Sequence, residues 1–370
     1  MTSLSSNEPA GEPLVTAEGE SLPSDPRKIR YVDVEAPRPG ELVEIAPNIC
    51  WTRIPLPIDL NHINVWLIDT GDQYVVVDTG MTPQMCKGAW EQLERSELKQ
   101  KPVGGIFVTH AHPDHIGLAQ WLQDRYRVDT WMSEDTLSLA RAVYVERAPR
   151  AEDTESFLRR HGVIEIDVLK PMFAPERFSR MSSGLPRVEH FVADEDVLRW
   201  GTTGWRALRT DGHAEGHVCL HEAARKVLIS GDQVLPTISS NISVMLQQRD
   251  QNPLDSYLRS LDRLRQLPAE TLVLPSHGKP FIGLRARIDD LQQHHQEQLT
   301  KLVDACAIPK TAYELLPVLF RRELAGMHFF LALGEAVAHL EYLARSQRLE
   351  RVMEGGVTHY VHSTKIARDA

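Results

Sequence analysis

A cluster of potential metal ligands occupies the segment THAHPDH, and its members are His110, His112, Asp114 and His115. Its histidines directly follow GGIFVT (104–109), a short and almost wholly apolar run that predicts a buried strand. Side chains two residues apart on an extended chain point the same way, so the first two histidines can bind one cation. Pro113 turns the chain, and the next two ligands can then face a second cation. Imidazole and carboxylate groups suit Zn²⁺, Fe and Mn.

Three more potential ligands follow other predicted strands. They are His213 in TDGHAEGH, Asp232 in LISGD and His277 in VLPSHGKP. Each alone is typical of an ordinary turn, but their order and their shared position at strand ends predict one site. Two cations that share a water lower its pKa from about 15.7 toward about 7, which gives hydroxide at neutral pH. The predicted chemistry is therefore metal-assisted hydrolysis.

Taken together, these motifs resemble those of the metallo-β-lactamase superfamily over roughly residues 41–285. The matching segments are THAHPDH (109–115), GHAEGH (212–217), SGD (230–232), SHG (276–278) and the earlier VDTG (77–80). The resemblance implies an α/β fold, the αββα sandwich, with two divalent metal ions at one edge. Zn²⁺ is the expected metal, and Fe and Mn are alternatives.

The resemblance also implies a role for each ligand. His110, His112 and His213 would bind one metal, Asp114, His115 and His277 would bind the other, and Asp232 would bridge them. Asp114, beside the shared water, is the expected catalytic residue because it can orient the water or carry a proton. Asp78 and His217 are expected to support the ligands without binding metal. No substrate-binding residue is assigned.

The other histidines are not expected to bind metal. His294 and His295 lie on a long polar helix and are predicted to be exposed to solvent. His62 is expected to shape a turn, although it could border the cleft. The rest have no spacing partner: His161, His190, His221, His328, His339, His359 and His362.

The expected reaction is attack by a metal-bound hydroxide on a small acyl thioester or ester, as in the glyoxalase II-like branch of the family. Acyl-CoA and glutathione thioesters are the expected substrate types. The alternatives are a lactonase, or a phosphodiesterase or RNase using the same metals. A non-enzymatic regulator that senses a ligand at the metal site is a third class. The bridging position is Asp232 rather than Cys, which argues against the best-known zinc β-lactamase branch.

The predicted elements divide the chain into three parts. Residues 1–40 are rich in Pro and Ser and predict a disordered lead. Residues 41–285 predict the catalytic domain, with a helical insertion at about 133–182. Residues 286–370 predict a linker helix and a winged-helix-like domain, because two helices precede a hairpin signal at Gly355-Gly356.

Two regions are candidates for contacting the substrate. The insertion is predicted to cap the metals with an apolar wall, or else simply to pack on the sheet. Its apolar residues are Leu137, Val143, Tyr144, Phe157, Leu158, Met172, Phe173 and Phe178. In the loop after Asp232, Ser240 and Asn241 could donate hydrogen bonds into the cleft.

The C-terminal region carries little net charge. Residues 308–370 hold eight Lys or Arg and seven Asp or Glu, a net charge of +1 that is poor for phosphate binding. Nucleic acid is therefore not an expected partner. The apolar stripe of Ala336, Leu340 and Leu343 is expected to pack on the catalytic domain or to form a homodimer.

Composition limits the class of protein. The 370 residues are 42% hydrophobic and 25% charged, which excludes a wholly disordered chain, and the net charge of −10 argues against a nucleic-acid-coating protein. Four scattered Cys exclude a disulfide scaffold. No signal peptide and no apolar run long enough to span a membrane is visible, so the expected location is the cytoplasm and the expected partner is a small-molecule substrate.

Overall fold

The computed structural model describes residues 28–146, 151–166, 180–248, 250–321 and 323–363. Within these ranges the strands form two seven-stranded sheets and one hairpin. Met172, Phe173 and Phe178 of the predicted cap lie outside the described residues, as do residues 1–27 of the predicted lead.

The first sheet follows chain order from edge to edge. Its strands are β2 (Val43–Ala46), β3 (Ile49–Pro55), β4 (His62–Asp69), β5 (Tyr74–Val77), β6 (Val103–Phe107), β7 (Asp129–Met132) and β8 (His190–Phe191). Neighbours from β2 to β5 are antiparallel, and neighbours from β5 to β8 are parallel. The carboxyl ends of the parallel strands therefore lie at the same end of the sheet, where the polar loops lie.

The second sheet runs β1-β14-β13-β12-β11-β10-β9. The bounds are β1 (Arg30–Tyr31), β9 (Val197–Trp200), β10 (Thr203–Arg209), β11 (Val218–Glu222), β12 (Val227–Gly231), β13 (Leu272–Pro275) and β14 (Phe281–Ile282). Strand β1 corrects the predicted boundary of the disordered lead. It pairs with β14, with Arg30 opposite Ile282 and Tyr31 opposite Phe281, so this part of residues 1–40 is held by backbone hydrogen bonds.

Helices cover the outer faces of both sheets. They are α1 (Gln84–Arg95), α2 (Pro113–Ile116), α3 (Ala119–Tyr126), α4 (Glu134–Arg141), α5 (Ala151–Arg160), α6 (Pro253–Leu264), α7 (Leu284–Ala305), α8 (Ala312–Leu319) and α9 (Gly326–Arg345). The predicted helices at 82–98, 253–267 and 283–304 are confirmed to within a few residues. In the described part of the chain, no helix combines the length and apolar character that crossing a bilayer requires.

Apolar side chains form three layers of core. Between the sheets, Trp51 and Trp66 of the first sheet meet Trp205 of the second, all fully buried. Helix α1 packs Trp90 on the other face of the first sheet. Helix α6 packs Tyr257 on the other face of the second. This is the expected αββα sandwich, and burial of each large side chain stabilises it by about 1.5–3 kcal/mol.

The C-terminal region packs on the second helical layer. Helices α8 and α9 precede a hairpin of β15 (Leu349–Glu354) and β16 (Val357–His362). Leu333, Leu340 and Leu343 of α9 are fully buried in one cluster with Tyr257 of α6. The predicted apolar stripe therefore contacts the catalytic part of this chain. The order of helices and hairpin is as expected, and the winged-helix comparison stays a prediction.

The predicted solvent exposure of His295 is wrong. Helix α7 packs against both α6 and α9, and His295 is fully buried with its Nδ1 3.0 Å from Nε2 of His339. His339, which has no spacing partner in the sequence, is the other member of this buried pair. The pairing joins residues 44 positions apart, so no local spacing could reveal it.

The described part of the helical insertion packs into the core. Leu137 and Tyr144 join the core beside the first sheet, and the Tyr144 hydroxyl donates to the Ala111 carbonyl at 2.7 Å. Phe157 and Leu158 instead join the cluster that contains the C-terminal helices. These contacts agree with the packing alternative. A cap formed by the whole insertion stays a prediction.

Candidate metal centre

Four strand ends bring the candidate ligands together. The THAHPDH segment follows β6, His213 follows β10, Asp232 follows β12 and His277 follows β13. Helix α2 begins at Pro113, directly after His112, and carries Asp114 and His115 inward. All seven predicted ligands fall into groups whose ligand atoms lie within 4.8 Å of one another.

The first donor group consists of His110, His112 and His213. The His110 Nε2 atom lies 3.0 Å from Nδ1 of His112 and 3.3 Å from Nε2 of His213. Nitrogen atoms bound to one tetrahedral Zn²⁺ at about 2.0–2.1 Å lie roughly 3.3–3.4 Å apart. The three rings are therefore spaced as ligands of one ion.

The second donor group consists of Asp114, His115 and His277. The Oδ2 atom of Asp114 lies 3.3 Å from Nε2 of His277 and 3.6 Å from Nε2 of His115. The two imidazole Nε2 atoms are buried and have no hydrogen-bond partner. A buried polar atom without a partner is costly, so a cation between these groups would satisfy both rings.

Asp232 lies between the two donor groups and turns one oxygen toward each. Its Oδ1 atom is 3.4 Å from Nε2 of His115 and 3.5 Å from Nε2 of His277. Its Oδ2 atom is 3.5 Å from Nε2 of His213. A carboxylate in this position can bridge two cations, and the whole donor set fits a pair of divalent metal ions.

Contacts behind the rings decide which nitrogen faces the centre. The Nδ1 atom of His213 lies 2.9 Å from the Asn241 carbonyl, and Nδ1 of His277 lies 2.8 Å from the His62 carbonyl. Each Nδ1–H donates to its carbonyl, which leaves the Nε2 lone pair free for a metal. Such outer contacts fix the tautomer and the orientation of metal-binding histidines.

Asp78 lies beneath the THAHPDH segment, as predicted. Its carboxylate accepts hydrogen bonds from the Thr109 amide at 2.8 Å and from Nδ1 of His115 at 2.7 Å. The Thr109 hydroxyl also donates to Asp78 and lies 2.9 Å from Nδ1 of His110. One buried carboxylate thus orients a ring in each donor group.

His217 supports the backbone of the bridging residue. The Asp232 amide donates to Nε2 of His217 at 3.2 Å, and Nδ1 of His217 lies 2.8 Å from the Thr210 hydroxyl. Both ring nitrogens are therefore occupied, and burial holds the pKa of His217 well below its ordinary value. This geometry agrees with a supporting role and leaves no lone pair for a metal.

The centre has an excess of negative charge that a cation would balance. Burial opposes ionisation of Asp114, but the charge of His115 and the contact with His277 hold its pKa at about 2. Burial also opposes protonation of His115, yet the carboxylates of Asp78, Asp232 and Asp114 raise its pKa well above the ordinary value. The lowered pKa values of Asp114 and Asp232 keep these two carboxylates ionised at neutral pH, which is the state that binds a divalent ion.

Three nearby residues differ from the sequence expectation. His62 does more than shape a turn, because its Nε2 accepts from the Gly278 amide at 3.2 Å and its carbonyl holds His277. The Ser240 hydroxyl donates to the carbonyl of Asp232 rather than into the cleft. The Asn241 side chain donates to Glu335 at 3.2 Å. Glu335 and Thr109 were not among the predicted site residues. Thr109 lies within the THAHPDH segment, whereas no motif marks Glu335.

The four cysteines lie outside the candidate metal groups. Within the described chain Cys50, Cys86, Cys219 and Cys306 are all free thiols, and the last three are buried. Burial raises the pKa of Cys86 and of Cys306 to about 11, so neither is a thiolate at neutral pH. The donor set therefore consists of nitrogen and oxygen atoms.

Two family models match the chain. Residues 58–277 match the model described as metallo-beta-lactamase superfamily, and residues 299–363 match the model described as metallo-beta-lactamase-like, C-terminal domain. The first match spans more than half of the chain and contains all seven candidate ligands. The second contains α8, α9 and the hairpin.

Individual proteins agree with these matches. A probable metallo-hydrolase of Bacillus subtilis, YqjP, is 26% identical over 83% of this chain and 96% of its own length. The human acyl-coenzyme A thioesterase MBLAC2 is 28% identical over 64% of this chain and 80% of its own length. The crystal structure of a beta-lactamase domain protein from Burkholderia ambifaria is 37% identical, covers 89% of this chain and 96% of that one, and superimposes with a TM-score of 0.82.

Proposed function

Because the chain belongs to the metallo-beta-lactamase superfamily and is one of its hydrolases, we propose that it uses two divalent metal ions to hydrolyse small acyl thioesters or esters. Acyl-CoA and glutathione thioesters are the proposed substrate types. The observation that carries the proposal is the Asp232 carboxylate, which presents Oδ1 to one donor group and Oδ2 to the other. This division of the two carboxylate oxygens predicts a site for two metal ions.

The residues have distinct roles in the proposed reaction. His110, His112 and His213 would hold one ion, and Asp114, His115 and His277 would hold the other. When bound, two such ions supply a hydroxide near neutral pH and polarise the substrate carbonyl. Asp114 is ionised, and its Oδ2 atom faces the centre, so it can orient the attacking water and accept its proton.

The thioester proposal is supported by similarity to named relatives. The human relative named as an acyl-coenzyme A thioesterase is 28% identical over 64% of this chain and 80% of its own length. A thioester carbonyl is a suitable electrophile for this chemistry, because the leaving thiolate needs little protonation. We also propose Zn²⁺ as the metal, a cytoplasmic location, and a homodimer formed through the C-terminal domain.

A substrate panel on protein of known metal content tests the proposal. The purified chain would be analysed for bound metals and assayed with acyl-CoA, glutathione thioesters, lactones, bis(p-nitrophenyl)phosphate and single-stranded RNA. We expect about two metal ions per chain and the highest kcat/KM on a thioester.

The His110→Ala variant is the control for contaminating activity, since it removes one ligand of the first donor group. Its hydrolysis rate should fall by at least about 100-fold. Full activity in this variant would exclude the proposed mechanism. A preference for lactones or phosphodiesters would agree with the proposed metal centre but contradict the proposed substrate class.

A further inference from the structure

A chain of hydrogen bonds links the C-terminal helix α9 to the metal centre. The Nδ1–H group of His213 donates to the backbone carbonyl of Asn241 at 2.9 Å. The side-chain amide of the same Asn241 donates to Oε2 of Glu335 at 3.2 Å. Glu335 lies on α9, 94 residues away from Asn241 along the chain. A residue of the C-terminal region thus lies two hydrogen bonds from a candidate ligand.

The loop that carries Asn241 is attached to α9 at further points. The Val244 amide donates to the Gly334 carbonyl at 3.1 Å, and the Ser243 hydroxyl lies 3.1 Å from the Leu331 carbonyl. The approach is close, since a Cβ atom on Gly334 would lie only 2.9 Å from the Cβ of Ser243. The hydroxyl of Ser243 also lies 2.7 Å from Oδ1 of Asn241, so both ends of that amide are held.

Helix α9 can fix this loop because it is itself fixed. Its Leu333, Ala336 and Leu340 side chains are fully buried in the core cluster beside the second sheet. Burial raises the pKa of Glu335 to about 7. The contact requires only an acceptor oxygen, which the carboxyl group offers in either protonation state.

We infer that Glu335 is a positioning residue of the metal centre, which holds Asn241 so that the Asn241 carbonyl orients the His213 ring. The C-terminal domain would then complete the active site instead of only packing on it. The inference rests on the proposed function, because His213 must bind a metal ion for its orientation to matter.

Metal binding by the full-length chain tests the inference. Co²⁺ would be titrated into the metal-free wild type and into Glu335→Leu, which removes the acceptor oxygen. We expect one of the two ions to bind about 10-fold more weakly in the variant, with a changed visible absorption spectrum. In the Zn²⁺-loaded variant kcat should fall while KM changes little, since the substrate itself is not contacted.

Three further variants separate positioning from a general structural effect. Glu335→Gln keeps an acceptor oxygen and should restore the wild-type spectrum. Glu341→Leu, on the same helix, removes a carboxylate that bonds the Tyr360 hydroxyl at 2.9 Å and Arg351 at 3.1 Å, away from the loop. It should leave both Co²⁺ affinities unchanged. Asn241→Ala removes the donor of the same hydrogen bond. It replaces Glu335→Leu in the test if that variant does not fold.

The outcomes are distinguishable. If the wild type binds no Co²⁺, the proposed metal centre itself fails. If the wild type binds two ions and Glu335→Leu or Asn241→Ala binds them with unchanged affinity and spectrum, the inference is wrong. Equal weakening by Glu335→Leu and Glu341→Leu, or no restoration by Glu335→Gln, would also overturn it.

Discussion

At the scale of single residues, several candidate ligands depend on a neighbour outside the donor set. The rings of His213 and His277 are oriented by backbone carbonyls, and that of His115 by Asp78. Asp232, the proposed bridging residue, depends on His217, because its backbone amide donates to that ring. The supporting residues and the ligands are different side chains, so single substitutions can separate the two roles.

Replacing His217 with Leu should weaken metal binding without removing a ligand. The change leaves the buried amide of Asp232 without an acceptor, which costs about 1–3 kcal/mol of stability and frees the bridging carboxylate to move. We expect metal affinity to fall by about 10- to 100-fold, measured by competition with a chelating dye.

The stoichiometry at saturating metal distinguishes a supporting residue from a ligand. His217→Leu should still bind two ions per chain once enough metal is supplied, and His217→Gln, which retains an acceptor oxygen, should be less impaired. Saturation at one ion per chain would instead make His217 a ligand and contradict the contacts of both its ring nitrogens.

At the scale of elements, the turn after each strand decides where the ligands go. Strand β12 ends at Gly231, which has a φ of 53°, and Asp232 follows directly. A Cβ atom at this glycine would lie 2.4 Å from Nε2 of His217. The turn therefore needs a residue without a side chain, both for its left-handed backbone and for the space that His217 occupies.

The Gly231→Ala substitution should damage both stability and metal binding. Left-handed backbone costs a non-glycine residue about 1–2 kcal/mol, and the clash with His217 adds to that cost. We expect a lower free energy of unfolding, measured by urea denaturation, together with weaker metal binding.

Gly355 offers a matched control in the hairpin turn between β15 and β16. Its φ of 58° is almost the same, but nothing lies within 4 Å of a Cβ atom built on it. Gly355→Ala should therefore show the backbone cost alone and bind metal as the wild type does. Equal losses of stability in both variants would mean that the contact with His217 contributes nothing.

At the scale of the whole molecule, the catalytic and C-terminal parts share one core. Helices α6, α7 and α9 bury their apolar side chains in a single cluster, and His295 of α7 meets His339 of α9 inside it. The Nδ1 atom of His339 lies 2.8 Å from the Glu335 carbonyl and donates to it, so its Nε2 accepts from His295. Both rings are accordingly neutral.

This neutral pair predicts acid sensitivity. Burial lowers the pKa of His295 to about 2 and that of His339 to about 4, whereas an unfolded histidine has a pKa near 6.5. Below pH 6.5 the unfolded chain therefore binds more protons than the folded one. The free energy of unfolding should fall as the pH drops toward 4, by up to about 1.4 kcal/mol per pH unit for each histidine.

Urea denaturation of the metal-free protein between pH 6.5 and 4.5 measures this dependence. A double variant, His295→Leu with His339→Leu, should show a shallower slope than the wild type in the same buffers. All other titrating groups are present in both proteins, so their contributions cancel in the comparison. Identical slopes would show that the pair does not titrate differently on unfolding.

The fold was largely predictable because its signals are local. The apolar run at 104–109 and the helical pattern at 253–267 predict their elements from neighbouring residues alone. The structure has a strand and a helix at these positions. The two-residue strands β1, at the edge of the second sheet, and β14, beside it, were not predicted. The two residues of β1 are too few to show a periodic pattern, and they belong to a sheet only because they pair with the distant strand β14.

The sequence by itself identified the candidate donor set, the family and the hydrolytic chemistry, because the candidates are metal-binding residue types that follow predicted strands. The tertiary structure decided what surrounds them. It divided the oxygens of Asp232 between two donor groups, buried His295 against His339, and placed Glu335 behind the loop that orients His213. The physical reason is distance along the chain. A contact between residues 44 or 94 positions apart depends on how whole elements pack, and no spacing pattern in the sequence encodes it.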